Sequence, residues 1–144
     1  MEMKLHKNIV LLETNVDDCT PEVISHLMER VMDEGALDIH IIHTIMKKGR
    51  LGYLIRVLTK EPKKFSKILM EETGTLGVRV ISIDRFEAKR EIKETKVKIQ
   101  GKTEKIRVKR SEHGIKPEFD DVRRIAKKYG MPFRDVLREI ETQI

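Results

Sequence analysis

Tryptophan is absent from this 144-residue chain, and tyrosine and phenylalanine occur only two and four times. The core must therefore be built from Ile, Leu, Val and Met. A single cysteine, Cys19, excludes an internal disulfide. With no secretory leader the cytoplasm is the expected compartment. The longest apolar run is Ile9-Val10-Leu11-Leu12, far short of the roughly 20 residues that span a bilayer. No membrane partner is expected. Asn and Gln are scarce, two of each, and no repeat, linker or low-complexity stretch interrupts the chain.

Charge is what the sequence has in quantity: 38% of the residues are Asp, Glu, Lys or Arg. That profile suits a protein from a hot environment and equally any very soluble helical protein. The net charge of +6 is unevenly placed. Residues 85–110 hold 11 of the 30 Lys and Arg but 4 of the 24 Asp and Glu, an excess of +7 against −1 elsewhere. The basicity belongs to one segment, so the whole chain does not carry a nucleic-acid signature. The length predicts one domain, or one with an appendage, that buries about two-thirds of its unfolded surface.

Residues 8–16 read as a buried strand. Thr20-Pro21-Glu22 starts a helix, since Thr caps, Pro fits the first turn and Glu suits the positive dipole end. Its stripe of Val23, Ile24, Leu27, Met28, Val31 and Met32 stops at Gly35. A second strand over 37–46, a tight turn at Lys47-Lys48-Gly49-Arg50 and a third strand over 53–59 follow. Pro62 opens a second helix with Phe65, Ile68 and Leu69 inward, ending near Gly74, and 78–83 is the fourth strand. The fold class is α+β, a ferredoxin-like split βαβ sandwich ordered β-α-β-β-α-β. Added to it are a basic β-hairpin around Gly101 and two C-terminal helices, one begun by Pro117 with Phe119 inward, the other by Pro132. The expected divisions are an extension over 1–7, a core over 8–84, the hairpin over 85–110 and the helical pair over 111–144.

Right-handed crossovers in such a sandwich make strands one and two parallel, with three and four opposed. Three segments then share one edge of the sheet: Asn15 to Thr20, Lys47 to Arg50, and Thr73 to Arg79. Asn15, Asp17 and Asp18 offer the oxygens that Mg²⁺ or Mn²⁺ take alongside phosphate and water, although either Asp could simply support a helix N-terminus. Lys47, Lys48 and Arg50 suit a polyphosphate, although basic hairpin turns also occur merely solvated. The Thr73–Arg79 loop offers hydroxyls and one Arg, and could equally be an ordinary helix C-cap. Their convergence favours anion or nucleotide binding. His40 and His43, three apart on a strand, face opposite ways and cannot chelate one metal. Cys19 reads as a packing residue, and Met28, Met32 and Met46 as core filler.

Glu13 to Val23, Leu27 to Arg30, Glu34 to Asp38, Met46 to Arg50, Glu71 to Arg79 and Lys116 to Ala126 resemble, in the same order, motifs of the C-terminal part of the LarC family. The resemblance covers about residues 9–138, departing at Cys19 (Met expected), Leu51 (Pro expected) and Gly74 (Thr expected). LarC proteins are CTP-dependent and insert nickel into pyridinium-3,5-bisthiocarboxylate mononucleotide to make the nickel-pincer cofactor. The resemblance implies a half that binds CTP with Mn²⁺ or Mg²⁺, with Ni²⁺ as substrate of the full protein and an N-terminal LarC portion as partner. It further implies homo-oligomers, a trimer-based one among the candidates. By position it assigns Asp17 and Asp18 to the metal, with Glu13 and Glu22 behind them. It assigns Lys47, Lys48, Arg50 and Arg79 to the phosphates, with Asn15 and Thr75 beside them. Arg85, Lys109, Lys116 and Glu118 are further nucleotide candidates. No residue stands out as catalytic or as a nickel ligand. Two other readings stay open: a small-effector-binding regulatory domain, and a nucleic-acid module using the helices around Gly130-Met131-Pro132 as a helix-turn-helix. In the latter, Asp135, Glu139 and Glu141 would partly cancel Arg134 and Arg138.

Overall fold

The Thr20 hydroxyl accepts a hydrogen bond from the Val23 amide at 3.4 Å, and Pro21 occupies the first turn of the helix that follows. These local signals set α1 (Pro21–Asp33), between β1 (Met3–Val16) and β2 (Asp38–Ile45). A 3-10 turn over Lys47–Gly49 leads to β3 (Leu51–Thr59), then α2 (Pro62–Thr73) and β4 (Arg79–Ala88). The computed structural model describes residues 2–144, which form two units, 5–86 and 87–144 together with 2–4.

In the first unit the sheet order is β2-β3-β1-β4, that of a ferredoxin-like sandwich. Both β1 and β2 pair antiparallel with β3, so they run parallel to each other. Leu12 and Val16 of β1, Ile39 of β2 and Ile55 and Val57 of β3 pack against Ile24, Leu27 and Val31 of α1 and Phe65, Ile68 and Leu69 of α2. Each such buried side chain contributes about 1.5–3 kcal/mol. Odd-numbered β1 residues, Glu13 and Asn15 among them, point to the opposite face.

The second unit is a three-stranded antiparallel sheet of β5 (Glu91–Ile99), β6 (Lys102–Ser111) and β7 (Gly114–Pro117). Helices α3 (Phe119–Tyr129) and α4 (Phe133–Glu141) pack on it through Val122, Ile125, Val136 and Ile140, which meet Val97, Ile99, Ile106 and Val108. Two side chains act as substitute strand partners. Asp121 accepts from the Arg107 amide at 2.7 Å, beyond the point where β7 ends. Gln143 donates to the Lys98 carbonyl at 2.9 Å and accepts from the Lys98 amide at 2.7 Å.

Several sequence expectations are corrected here. Strand β1 begins at Met3, so residues 3–7 continue it rather than form an extension. The fourth strand runs on to Ala88. Pro117 ends a short strand, β7, and the helix after it starts at Phe119. The hairpin and the helical pair share one core and are not separate divisions. Phe119 is 60% exposed, and Met28 and Met32 are exposed on α1, outside its buried stripe of Ile24, Leu27 and Val31. The α1 stripe is thus narrower than the run of apolar residues suggests.

Glu104 on β6 is 6% exposed, yet charged. It accepts from Lys128 Nζ at 2.5 Å, Tyr129 Oη at 2.7 Å and Arg124 Nη1 at 3.3 Å. These donors, Lys128 foremost, hold its carboxyl at about 2 against the opposing effect of burial. Because the folded-state value lies below the unfolded one, the stabilisation is complete above the ordinary carboxylate range and is lost as pH falls from about 5 toward 2. Glu104→Gln should lower stability at neutral pH by about 1–3 kcal/mol. Its thermal midpoint by circular dichroism should fall less between pH 5 and pH 2 than that of the parent. Parallel pH profiles would disprove the role.

Gly52 admits a close backbone approach in the first unit. A Cβ there would run into the Val16 carbonyl oxygen and the Met46 sulfur, and would lie 3.2 Å from Asp17 Cα. Gly52→Ala should therefore cost about 1–3 kcal/mol by overpacking and displace the Val16 and Asp17 backbone. Amide chemical shifts confined to Gly52 itself would contradict this.

Candidate functional site

The three loops expected at one edge of the first unit's sheet do meet there. Thr14, the last but two of β1, joins its hydroxyl to that of Thr75 at 2.7 Å and donates to the Gly77 carbonyl at 2.9 Å. The Cys19 thiol donates to the Thr73 carbonyl at 3.6 Å. From the β2–β3 turn, Arg50 Nη1 donates to Asp17 Oδ2 at 3.1 Å. Arg79, at the start of β4, donates to Asn15 Oδ1 at 2.6 Å and reaches Glu13 at 3.4 Å.

Backbone geometry presents the cations. The Met46 amide donates to the Arg50 carbonyl at 2.7 Å and closes the turn. Lys48 and Gly49 both take left-handed conformations, φ 64° and 71°. The latter is natural for glycine; at Lys48 it is an uncommon conformation that functional turns retain. Lys47 and Lys48 project as exposed ammonium groups, with no ion pair among the described residues. Asp18 is exposed and likewise without an ion pair among them.

The site is electrostatically self-paired elsewhere. Glu13 lies opposite Arg56 in the β1–β3 register, with Arg56 Nε at 2.8 Å from one carboxylate oxygen and Arg79 Nε at 3.4 Å from the other. Burial raises the Cys19 thiol, helped by Asp18 and then Asp17. Cys19 is partly buried and packs against the first unit's core.

Among the described residues no three His, Cys, Asp or Glu side chains gather as a metal cage. Glu13 is engaged by two arginines, and Glu22 is exposed in the first turn of α1. Asp17 and Asp18 are the carboxylates left to hold a divalent ion, one or two being what Mg²⁺ commonly takes when phosphate oxygens and water complete its shell. Thr75 is absorbed into the loop, its hydroxyl also lying 3.2 Å from the Gly77 carbonyl. Arg85 stands six residues beyond Arg79 on β4, roughly 20 Å along the strand, away from these loops. Lys109, Lys116 and Glu118 belong to the second unit, where Lys109 pairs with Glu118 at 2.9 Å. Sequence reasoning missed Thr14, Gly52 and Arg56. Only Arg56 had a usable signal, as a charged residue amid the apolar run of β3.

Comparison with known proteins follows the same line. The model of the family described as nickel insertion protein matches residues 1–137. A Methanocaldococcus jannaschii protein provisionally named a nickel insertion protein is 43% identical over 139 residues, covering 93% of this chain and 36% of its own length. The pyridinium-3,5-bisthiocarboxylic acid mononucleotide nickel insertion protein of Acetivibrio thermocellus is 36% identical, covering 98% of this chain and 35% of itself. The chain thus spans about a third of the length of these relatives. Its fold is shared with LarC2, the C-terminal domain of a cyclometallase involved in synthesis of the NPN cofactor of lactate racemase (TM-score 0.80, 23% identity, 98% and 97% of the two chains). A Methanopyrus kandleri protein is also similar in fold (TM-score 0.65, 23% identity, 94% and 86%). No helix among the described residues is long and apolar enough to cross a membrane. On the family match and these identities, the chain belongs to the nickel insertion protein family.

Proposed function

We propose that this chain is the metal–CTP-binding portion of a protein that inserts nickel into pyridinium-3,5-bisthiocarboxylic acid mononucleotide, with Ni²⁺ as the substrate metal. The observation that carries the reading is the Arg50–Asp17 pair, which ties the Lys47–Arg50 turn to the end of β1, where Arg79 is anchored on Asn15. The nucleotide base comes from the family resemblance, and nickel insertion is proposed for the whole protein, about a third of which this chain matches.

Lys47 and Lys48 supply point charges to phosphates and Arg50 a planar fork. Asp17 and Asp18 would hold Mn²⁺ or Mg²⁺, which neutralises charge across the phosphate oxygens. Arg50 is joined to Asp17, so a group able to take phosphate oxygens would stand beside a carboxylate able to hold the ion. Arg79, anchored on Asn15 and Glu13, would present its remaining donors without moving its backbone. These steps are binding and orientation, and the portion that supplies the nickel chemistry lies in the rest of the protein.

Calorimetric titration with CTP, ATP, GTP and UTP, with Mn²⁺ or with EDTA, tests this. Binding should require the metal and favour CTP. Charge reversal at Lys47 and Lys48 together should weaken it at least tenfold, about 1.4 kcal/mol, with an unchanged circular dichroism spectrum. Tight salt-sensitive binding of duplex DNA without nucleotide binding would refute it, as would normal CTP affinity in the double variant.

A further inference from the structure

The most exposed large apolar side chains among the described residues are Leu76, Leu51 and Ile45, at 98%, 77% and 75%. All three stand at the loop edge of the first unit. Ile45 and Leu51 face each other in the β2–β3 register and flank the Lys47–Arg50 turn. Leu76 lies in the loop between α2 and β4, next to Thr75, which is tied to Thr14 of β1. The sheet order β2-β3-β1-β4 sets the end of β1 between these two places, so aliphatic groups bracket Asp17 and Asp18. A lone exposed leucine is ordinary, but the most exposed ones gathered at one edge mark a surface that is covered by something.

Charge at the same edge points to what covers it. Lys47 and Lys48 at the turn, and Asp18 and Glu22 at the entry to α1, are all exposed and without an ion pair among the described residues. The two cations and the two carboxylates balance in number yet do not meet within the chain. A purely acidic or purely basic partner would satisfy one set and oppose the other. A second copy satisfies both, because a two-fold contact is self-complementary: residue i meets j, and j meets i. Given the order β2-β3-β1-β4, a two-fold axis normal to the sheet turns the β2–β3 end of each copy over the β1–β4 end of the other. Cations then face carboxylates, and Ile45 and Leu51 face Leu76.

We propose that this loop edge is a two-fold interface between copies of the chain. Ile45 and Leu51 of each copy cover Leu76 of the other, and Lys47 and Lys48 of each face Asp18 and Glu22 of the other. The interface stands on exposure and charge and does not depend on the nucleotide reading. It sets the candidate site of each copy against the other copy rather than against open water.

Sedimentation velocity of the full chain over a range of concentrations, without nucleotide or metal, tests this. The parent should self-associate. Leu76→Asp should weaken the association at least about tenfold, with an unchanged circular dichroism spectrum because so exposed a side chain packs on nothing in its own copy. A charge swap tests the register of the contact. Lys47→Glu with Lys48→Glu in one protein, and Asp18→Lys with Glu22→Lys in another, should each weaken self-association at least about tenfold. An equimolar mixture of the two should restore it, since the mixed pair sets opposite charges together at both contacts. A parent that stays monomeric, an association indifferent to Leu76→Asp, or a mixture no better than its components would each overturn the interface. With no nucleotide present, those results leave the metal–CTP reading untouched, and a failure to bind CTP leaves the interface standing.

Discussion

The antiparallel register between β1 and β3 is the constraint on which the loop edge of the first unit depends. Val16 sits opposite Tyr53 and Glu13 opposite Arg56, which lets Gly52 lie against the Val16 carbonyl and Asp17 Cα. A side chain at Gly52 would push the end of β1 outward and take Asp17 away from Arg50. The same alternation sends Leu12, Thr14 and Val16 toward the helices and Glu13 and Asn15 to the open face. One strand thus supplies core packing with one set of positions and holds Arg56 and Arg79 with the other. A one-residue slip would exchange the sets and bury carboxylate in the core, a cost of several kcal/mol that pins the register.

Much of this was legible from residue pattern because the fold's handedness does the work. Thr20-Pro21, Gly35 and Gly74 punctuate the helices by local chemistry that needs no tertiary contact. Once the β-α-β-β-α-β order is set, right-handed crossover brings residues 15–20, 47–50 and 73–79 to one place. What escaped was decided by packing at a distance. Met28 and Met32 fall at helical spacing with the buried stripe, but α1 meets the sheet along a narrower line through Ile24, Leu27 and Val31. Strand β7 is four residues long, too short to show a period, and it exists because β6 offers it an edge. Phe119 looked like core, yet it packs against Phe133 with ring centroids 5.2 Å apart while remaining exposed.

Candidate site residues were readable as types but not as states. Lys47, Lys48, Arg50, Asp17 and Asp18 are evident as charges, while their pairing is not. Arg50 holds Asp17, and Glu13 holds two arginines. The family resemblance placed Glu13 and Glu22 behind the metal carboxylates. The structure engages the first with cations and leaves the second at the start of α1.

The two units settle their charges in different ways, and the difference bears on where ligands can act. On β6, Glu104 gathers Lys128, Tyr129 and Arg124 around one buried carboxylate. Asp121 does the same for Arg107, whose Nε lies 3.0 Å away. Both carboxyls are held below their ordinary values, each chiefly by hydrogen bonds from the cation it faces. Those pairs anchor α3 and leave nothing for a ligand to gain. At the loop edge of the first unit Asp18, Lys47 and Lys48 stand exposed and outside any ion pair among the described residues, so charge there stays open to a ligand.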